Sequence, residues 1–210
     1  GVTPEMVRDH YRRHLKATPP RAYLAGRLTP ELVAEVTRRL EAMTFEPVGN
    51  PVEIHSVAPQ FNPEGNFRRL TVDDSLQSAI KIAIPTIGRD NPDYETLRLA
   101  SVAFGGHFGS RLMQNIREDK GYTYGISAQL ATLPGEGSFL VISCQTDNGF
   151  VDGVLSEINS ECGRMASEPL SDEELTGVRR LILSALAGVL DSPFSICDYM
   201  ISQQELGQST

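Results

Sequence analysis

Apolar residues recur at helical spacing near both ends of this chain and alternate, strand-like, across its middle. Val7, Tyr11 and Leu15 step along one face of a helix that Thr3 can cap, with Pro4 at the favoured first position. Pro19-Pro20 stops it. Ala22-Tyr23-Leu24-Ala25 predicts a short strand ending at Gly26, and Thr29-Pro30-Glu31 repeats the capped start. Leu32, Val33, Val36, Leu40 and Met43 then form a second helical stripe. Residues 1–43 therefore read as helix, strand, helix.

Between residues 44 and 67 the pattern dissolves into Pro47, Gly49, Asn50, Pro51, Pro59, Asn62, Pro63 and Gly65. So long an irregular connector is unusual inside one compact domain, so the chain divides here. Beyond it, residues 79–85 alternate as a strand and residues 93–104 read as a helix interrupted by Gly105-Gly106-His107-Phe108-Gly109. Ser110 can cap a further helix over 111–120, with Leu112 and Ile116 on one face and Gly121 just past its end. Residues 122–133 and 138–145 predict a hairpin around Pro134-Gly135-Glu136-Gly137. Helices follow over 150–167 and 171–190, the second opened by a Ser171/Glu174 capping box. Hairpin-paired strands covered by helices indicate an α+β fold with an antiparallel sheet.

Composition narrows the function classes. At 210 residues, with 40% hydrophobic and 22% charged, the chain can bury roughly 70% of its unfolded surface without a metal or disulfide staple. A net charge of −8 gives no general pull toward nucleic acid or anionic lipid. Cys144, Cys162 and Cys197 are an odd, widely spaced set, which argues against a disulfide framework and a zinc knuckle alike. No apolar run reaches the ~18–20 residues of a membrane span. Both ends read as cuts, so the chain is expected to be a piece of something longer. Arginine outnumbers lysine, which points to a bacterial source, with periplasm and cytoplasm both open.

Most of the candidate chemistry has an ordinary explanation. His10 and His14 have the i, i+4 spacing by which two imidazoles grip zinc, but Tyr11 and Arg13 stand where a zinc peptidase helix needs glutamate. Arg12 and Arg13 would repel a cation, so the pair reads as exposed helix histidines. His55 and His107 have no partner that the sequence can place. The glycine stretch at 105–109 lacks the lysine of a phosphate loop and follows a helix, so it reads as a helix-to-helix turn. The cysteines read as small buried hydrophobes. One constellation resists dismissal. A helix, a glycine stop and a strand bring Arg117 near Tyr124, a fork of donors beside a hydroxyl, suited to holding or polarising a peptide carbonyl. Alternatively, Arg117 complements the helix dipole and Tyr124 is a half-buried strand aromatic.

The stretch Gly-Gly-His-Phe-Gly-Ser-Arg-Leu-Met-Gln-Asn-Ile-Arg-Glu-Asp-Lys-Gly-Tyr-Thr-Tyr, residues 105–124, closely resembles the second-half signature of the insulinase/pitrilysin family of zinc metallopeptidases. That family includes the mitochondrial processing peptidases and the core subunits of the respiratory bc1 complex. Gly-Gly, Ser-Arg-Leu, Arg-Glu, Gly and a Tyr seven positions after the Arg are all present. The resemblance extends over nearly the whole chain. Residues 1–43 look like the end of the family's first half, 44–67 like the linker between halves, and 68–210 like most of the second, metal-free half.

What the resemblance implies is a clamshell of two α+β halves, each with an antiparallel sheet covered by helices on one face, around a peptide chamber. Its zinc motif, His-x-x-Glu-His, belongs to the first half and does not occur in this sequence. The chain is therefore expected to hold no metal and to be inactive alone, with zinc on a catalytic partner half of the same polypeptide or a separate subunit. By position, Arg117 and Tyr124 match the family's substrate-binding Arg and Tyr, and the ligand would be a peptide. A dimer is open. The competing expectation is a structural or assembly module of the same fold with no peptidase role. An independent nucleotide-binding domain would rest on the glycine turn alone.

Overall fold

The computed structural model describes residues 1–15, 20–45, 67–132 and 138–205. Its elements are α1 (Pro4–His10), α2 (Pro30–Glu41), β1 (Gln77–Thr86), α3 (Tyr94–Ser101), β2 (Thr123–Thr132), β3 (Ser138–Asp147), α4 (Val151–Ser167), α5 (Asp172–Val189) and α6 (Pro193–Glu205). Wider, π-type helical turns occupy Tyr11–Leu15, Val102–Gly106 and Met113–Asp119. The chain divides into two compact units, Gly1–His55 with Leu186–Thr210, and Ser56–Ala185.

In the first unit the two helix starts form as the sequence dictates. The Thr3 hydroxyl accepts from the Met6 N–H and the Thr29 hydroxyl from the Leu32 N–H, both at 3.3 Å, with proline in the first helical turn of each. The strand expected at residues 22–25 does not form. Those residues carry no ladder, because all three described strands lie elsewhere in sequence and pair with one another, and an extended segment becomes a strand only beside a partner. Tyr23 instead donates its hydroxyl to Gln204 Oε1 on α6. Most of the expected connector, residues 46–66, lies outside the described residues.

The second unit is α+β, with an antiparallel sheet in the order β1-β3-β2 covered by helices on one face. Side chains alternate along β1, so Ile80, Ile82 and Ile84 turn toward the helices while Lys81 and Ala83 face outward. Ile142 and Cys144 of the central strand and Ile126 and Ala128 of β2 meet Phe104, Leu112, Ile116, Val154 and Ile158 from the helices. Each fully buried aliphatic side chain here is worth roughly 2 kcal/mol of transfer free energy. The turn expected at residues 134–137 lies outside the described residues, but the register across it is plain: Thr132 faces Ser138.

The glycine stretch is a packing device as well as a turn. The helix begun at Tyr94 runs on through Gly106, and a Cβ at Gly105 would stand 2.6 Å from both the Cβ and the backbone N of Ala128. Only glycine lets this helix reach β2 so closely. His107 then shapes the turn, its Nδ1 accepting from the Gly109 N–H at 3.1 Å and its carbonyl from the Ser110 N–H at 3.1 Å. Ser110 does not cap the next helix through its side chain, contrary to the sequence reading. Its Oγ is buried with no partner among the described residues, and only its backbone carbonyl accepts, from Gln114.

Arg111 is the buried cation of this unit. Its Nε donates to Glu174 Oε1 at 2.6 Å and its Nη2 to Glu174 Oε2 at 3.2 Å, while two other contacts reach the carbonyls of Glu168 and Pro169. Glu174 also accepts from the Ser171 N–H at 2.8 Å, and its own N–H donates to the Ser171 hydroxyl at 3.2 Å, completing the predicted capping box. Hydrogen bonding from Arg111 holds the Glu174 carboxyl well down, at about 2.

Two measurements test this packing. Gly105→Ala should lower unfolding stability by about 2–3 kcal/mol, since backbone and not a flexible side chain must yield. An unchanged denaturant midpoint would contradict the close approach. Glu174→Gln should cost about 3 kcal/mol by leaving Arg111 buried without its counter-charge. A carboxyl depressed in the folded state stabilises above its unfolded value, so wild-type stability should drop as pH falls from about 4.5 toward 2. The Gln variant should lose this part of the slope in an acid titration.

Candidate functional site

Sequence-local geometry places Arg117 and Tyr124 on either side of one glycine. The π-type segment Met113–Asp119 carries Arg117 near its end, and Gly121, at φ +66°, reverses the chain in the left-handed region. Its N–H donates to the Arg117 carbonyl at 3.1 Å, and the Tyr122 N–H to the Ile116 carbonyl at 3.0 Å, so helix-end carbonyls are satisfied before the chain enters β2.

A β-bulge then turns Tyr124 outward. Thr123 pairs with Thr146 and Ile126 with Cys144, so Tyr124 and Gly125 together stand opposite the single residue Gln145. The Thr123 hydroxyl bridges the interruption, accepting from the Gly125 N–H at 3.1 Å and donating toward the Gln145 carbonyl. The Tyr124 side chain consequently stands 89% exposed, and its hydroxyl makes no hydrogen bond among the described residues. It borders a depression of about 160 Å³ lined also by Gln77, Gly121, Gln145 and Asp147. Neighbouring Tyr122 is different: its ring stacks on Phe150 at 5.0 Å and packs against the core.

The two arginines of the stretch diverge in the same way. Arg111 is spent on Glu174 and two carbonyls. Arg117 is less committed: its Nε pairs with Glu118 Oε1 at 3.5 Å, its side chain is 34% exposed, and the guanidinium sits 4.6 Å from the centre of the Phe108 ring. Phe108 is itself exposed, so the ring acts as a prop that restricts the guanidinium without consuming its donors. No hydrogen bond or ion pair joins Arg117 to Tyr124 among the described residues. The prop was not legible in the sequence, because nothing in a nine-residue separation across a turn signals a stacked pair.

Other sequence candidates resolve into structure. The His10 and His14 rings stand 4.4 Å apart on an exposed helix face, with no carboxylate completing a set. Among the described residues no group of three His, Cys, Asp or Glu side chains could hold a metal ion. Burial pushes the thiols of Cys144 and Cys162 up, which keeps them protonated at neutral pH and poor as ligands or nucleophiles. A pair of carboxylates, Glu157 and Glu161, lies on α4. Asn115 donates to Glu157 at 2.9 Å and to Glu161 at 2.8 Å, Lys120 pairs with Glu157 at 3.3 Å, and Arg164 with Glu161 at 2.9 Å. These contacts join the helices, and they leave Glu161 Oε2 buried with no hydrogen-bond partner among the described residues.

This architecture has known counterparts. A peptidase M16 inactive domain from Pseudomonas fluorescens superposes with a TM-score of 0.67 at 19% identity, over 99% of this chain and 48% of that one. A protease from Helicobacter pylori gives 0.71 at 14% identity, over 88% and 44%. A chain of complex III from Candida albicans gives 0.65 at 17% identity, over 100% and 50%. This chain thus spans about half the length of these structures, and at such identities the likeness is one of fold. Comparison with curated proteins finds no match. The sequence itself, however, matches the family described as "Peptidase M16 inactive domain" over residues 1–182, which takes in the Arg117–Gly121–Tyr124 corner and the sheet that presents it. By that match this chain belongs to the inactive-domain family of the M16 peptidases.

Proposed function

We propose that this chain is the non-catalytic, peptide-holding part of a zinc-dependent endopeptidase, with Arg117 and Tyr124 contacting the substrate backbone. The observation that carries this reading is the contrast within residues 105–124. Arg111 and Tyr122 are absorbed by the fold, whereas Tyr124 stands exposed and Arg117 is committed only to an ion pair with its neighbour Glu118 and to the Phe108 ring. A planar fork held by an aromatic ring and a solvent-facing phenol suit a peptide carbonyl, which accepts two hydrogen bonds. Donors already in place at a carbonyl also meet the charge that develops on its oxygen when it is attacked.

The described residues do not fit zinc, so the metal is assigned to a partner half, on the same polypeptide or a separate subunit. There it would supply the activated water. In this division, residues 1–43 close the catalytic half, 44–67 link the halves, and 68–210 form most of the metal-free half. The likeness to a complex III chain favours a second reading, a structural module of the same fold that handles no peptide.

Binding of an extended, fluorescently labelled peptide separates the two. Arg117→Ala combined with Tyr124→Phe should weaken binding about tenfold or more while leaving the melting temperature unchanged. In the assembled enzyme, Tyr124→Phe should lower kcat by roughly a hundredfold, about 3 kcal/mol of transition-state stabilisation. Equal peptide binding and equal turnover in wild type and variant would remove both residues from the site and leave the structural module.

A further inference from the structure

The helical segment that carries Arg117 is wound wider than an α-helix. Its turns over Met113–Asp119 are π-type, and the Lys120 N–H donates to the Asn115 carbonyl, five residues back, at 3.0 Å. Such winding is rare, so what holds it open here bears on the residue it presents.

Glu157 of α4 spans this turn. Its Oε2 accepts from the Asn115 amide at 2.9 Å, and its Oε1 lies 3.3 Å from the Lys120 ammonium. On an α-helix, neighbours on one face are three or four residues apart, and residues five apart lie about 140° round from one another. A turn closed over five residues brings Asn115 and Lys120 onto one side, where a single carboxylate meets both. The Asn115 amide also donates to Glu161 Oε1 at 2.8 Å, which fixes its orientation. The grip has a firm base, because Val154 and Ile158 bury the other side of α4 in the core.

Arg117 follows Asn115 by two residues, roughly half a turn round, on the side away from α4. Its guanidinium meets Phe108, which belongs to the preceding glycine turn and not to the widened segment. The winding of the segment therefore sets the angle at which Arg117 approaches that ring. Tightening it to α-helical turns would rotate Arg117 relative to Phe108 and part the pair.

From this arrangement we propose that Glu157 is a positioning residue for Arg117: by gripping Asn115 and Lys120 together it keeps the turn wide and the guanidinium stacked on Phe108. The benefit to binding rests on the peptide-holding reading above, whereas the stacking does not.

Two readouts on the full 210-residue chain keep these apart. The NMR resonance of the Arg117 Nε–H, identified as the signal lost in Arg117→Lys, is displaced by the ring current of Phe108. Glu157→Ala should move it most of the way to its position in Phe108→Leu. An unmoved resonance overturns the proposal, whatever the peptide does. In titrations with an extended, fluorescently labelled peptide, Glu157→Ala should weaken binding about tenfold in the wild-type background. In the Arg117→Ala background it should cost less than twofold, because it acts only through that side chain. Equal losses in both backgrounds, or none in either, overturn the positioning role, while weaker binding by Arg117→Ala itself still supports the peptide-holding reading. No peptide binding by wild type sinks that reading, and the resonance alone then decides the positioning. If Glu157→Ala does not fold, Lys120→Met, which breaks only the more exposed arm of the bridge, should give a smaller shift in the same direction, and no shift overturns the proposal.

Discussion

A guanidinium removed from water has to be answered on nearly every side, and the groups that answer Arg111 determine where several segments of the second unit lie. Two carboxylate oxygens of Glu174 and the carbonyls of Glu168 and Pro169 converge on it, so the end of α4, the turn after it and the capped start of α5 are all drawn to the beginning of the Arg111 helix. Because Glu174 also closes the capping box with Ser171, the start of α5 cannot shift without exposing the buried charge. The helical layer thus anchored presents Leu112 and Ile116 to the sheet. Gly105 brings the helix begun at Tyr94 against Ala128 by removing a side chain rather than adding one.

The corner at Gly121 is tied down by contacts of its own. Gly121 ends the helix, Thr123 binds across the bulge and the Tyr122 ring is held against Phe150, so the backbone on both sides of Tyr124 is determined. On this backbone, held on both sides, Tyr124 stands 89% exposed. The stack of Arg117 on Phe108 restricts the guanidinium likewise. Presentation on a backbone held in this way would lower the ordering cost of holding a ligand, as the proposed peptide-holding role requires.

Much of the fold was legible in the sequence. The alternation of Ile80, Ile82 and Ile84, the Thr-Pro helix starts, the Ser171/Glu174 box and Gly121 all act within a few residues, and each formed where the pattern placed it. Arg117 and Tyr124 stood out as candidates for the same reason, being joined by one short turn. Failures arose where local signals depend on distant partners. Residues 22–25 have strand composition but no neighbouring strand among the described residues, and Ser110 has capping chemistry but a buried hydroxyl. Periodicity also marked the apolar side of α5 without deciding burial: Val178 is enclosed while Leu183 remains 59% exposed.

By itself, then, the sequence determined most of the elements and the antiparallel α+β class, because capping, turn chemistry and periodicities of two and about 3.6 residues act over single turns, while residues 105–124 carried the family resemblance. Only the tertiary structure decided which of two arginines and which of two tyrosines is spent on the fold. Arg111 meets Glu174 across 63 residues, and the bulge that turns Tyr124 outward exists only because β3 lies beside β2. Burial and pairing are properties of surfaces brought together by the whole chain, and no local pattern encodes which side chain is left facing out.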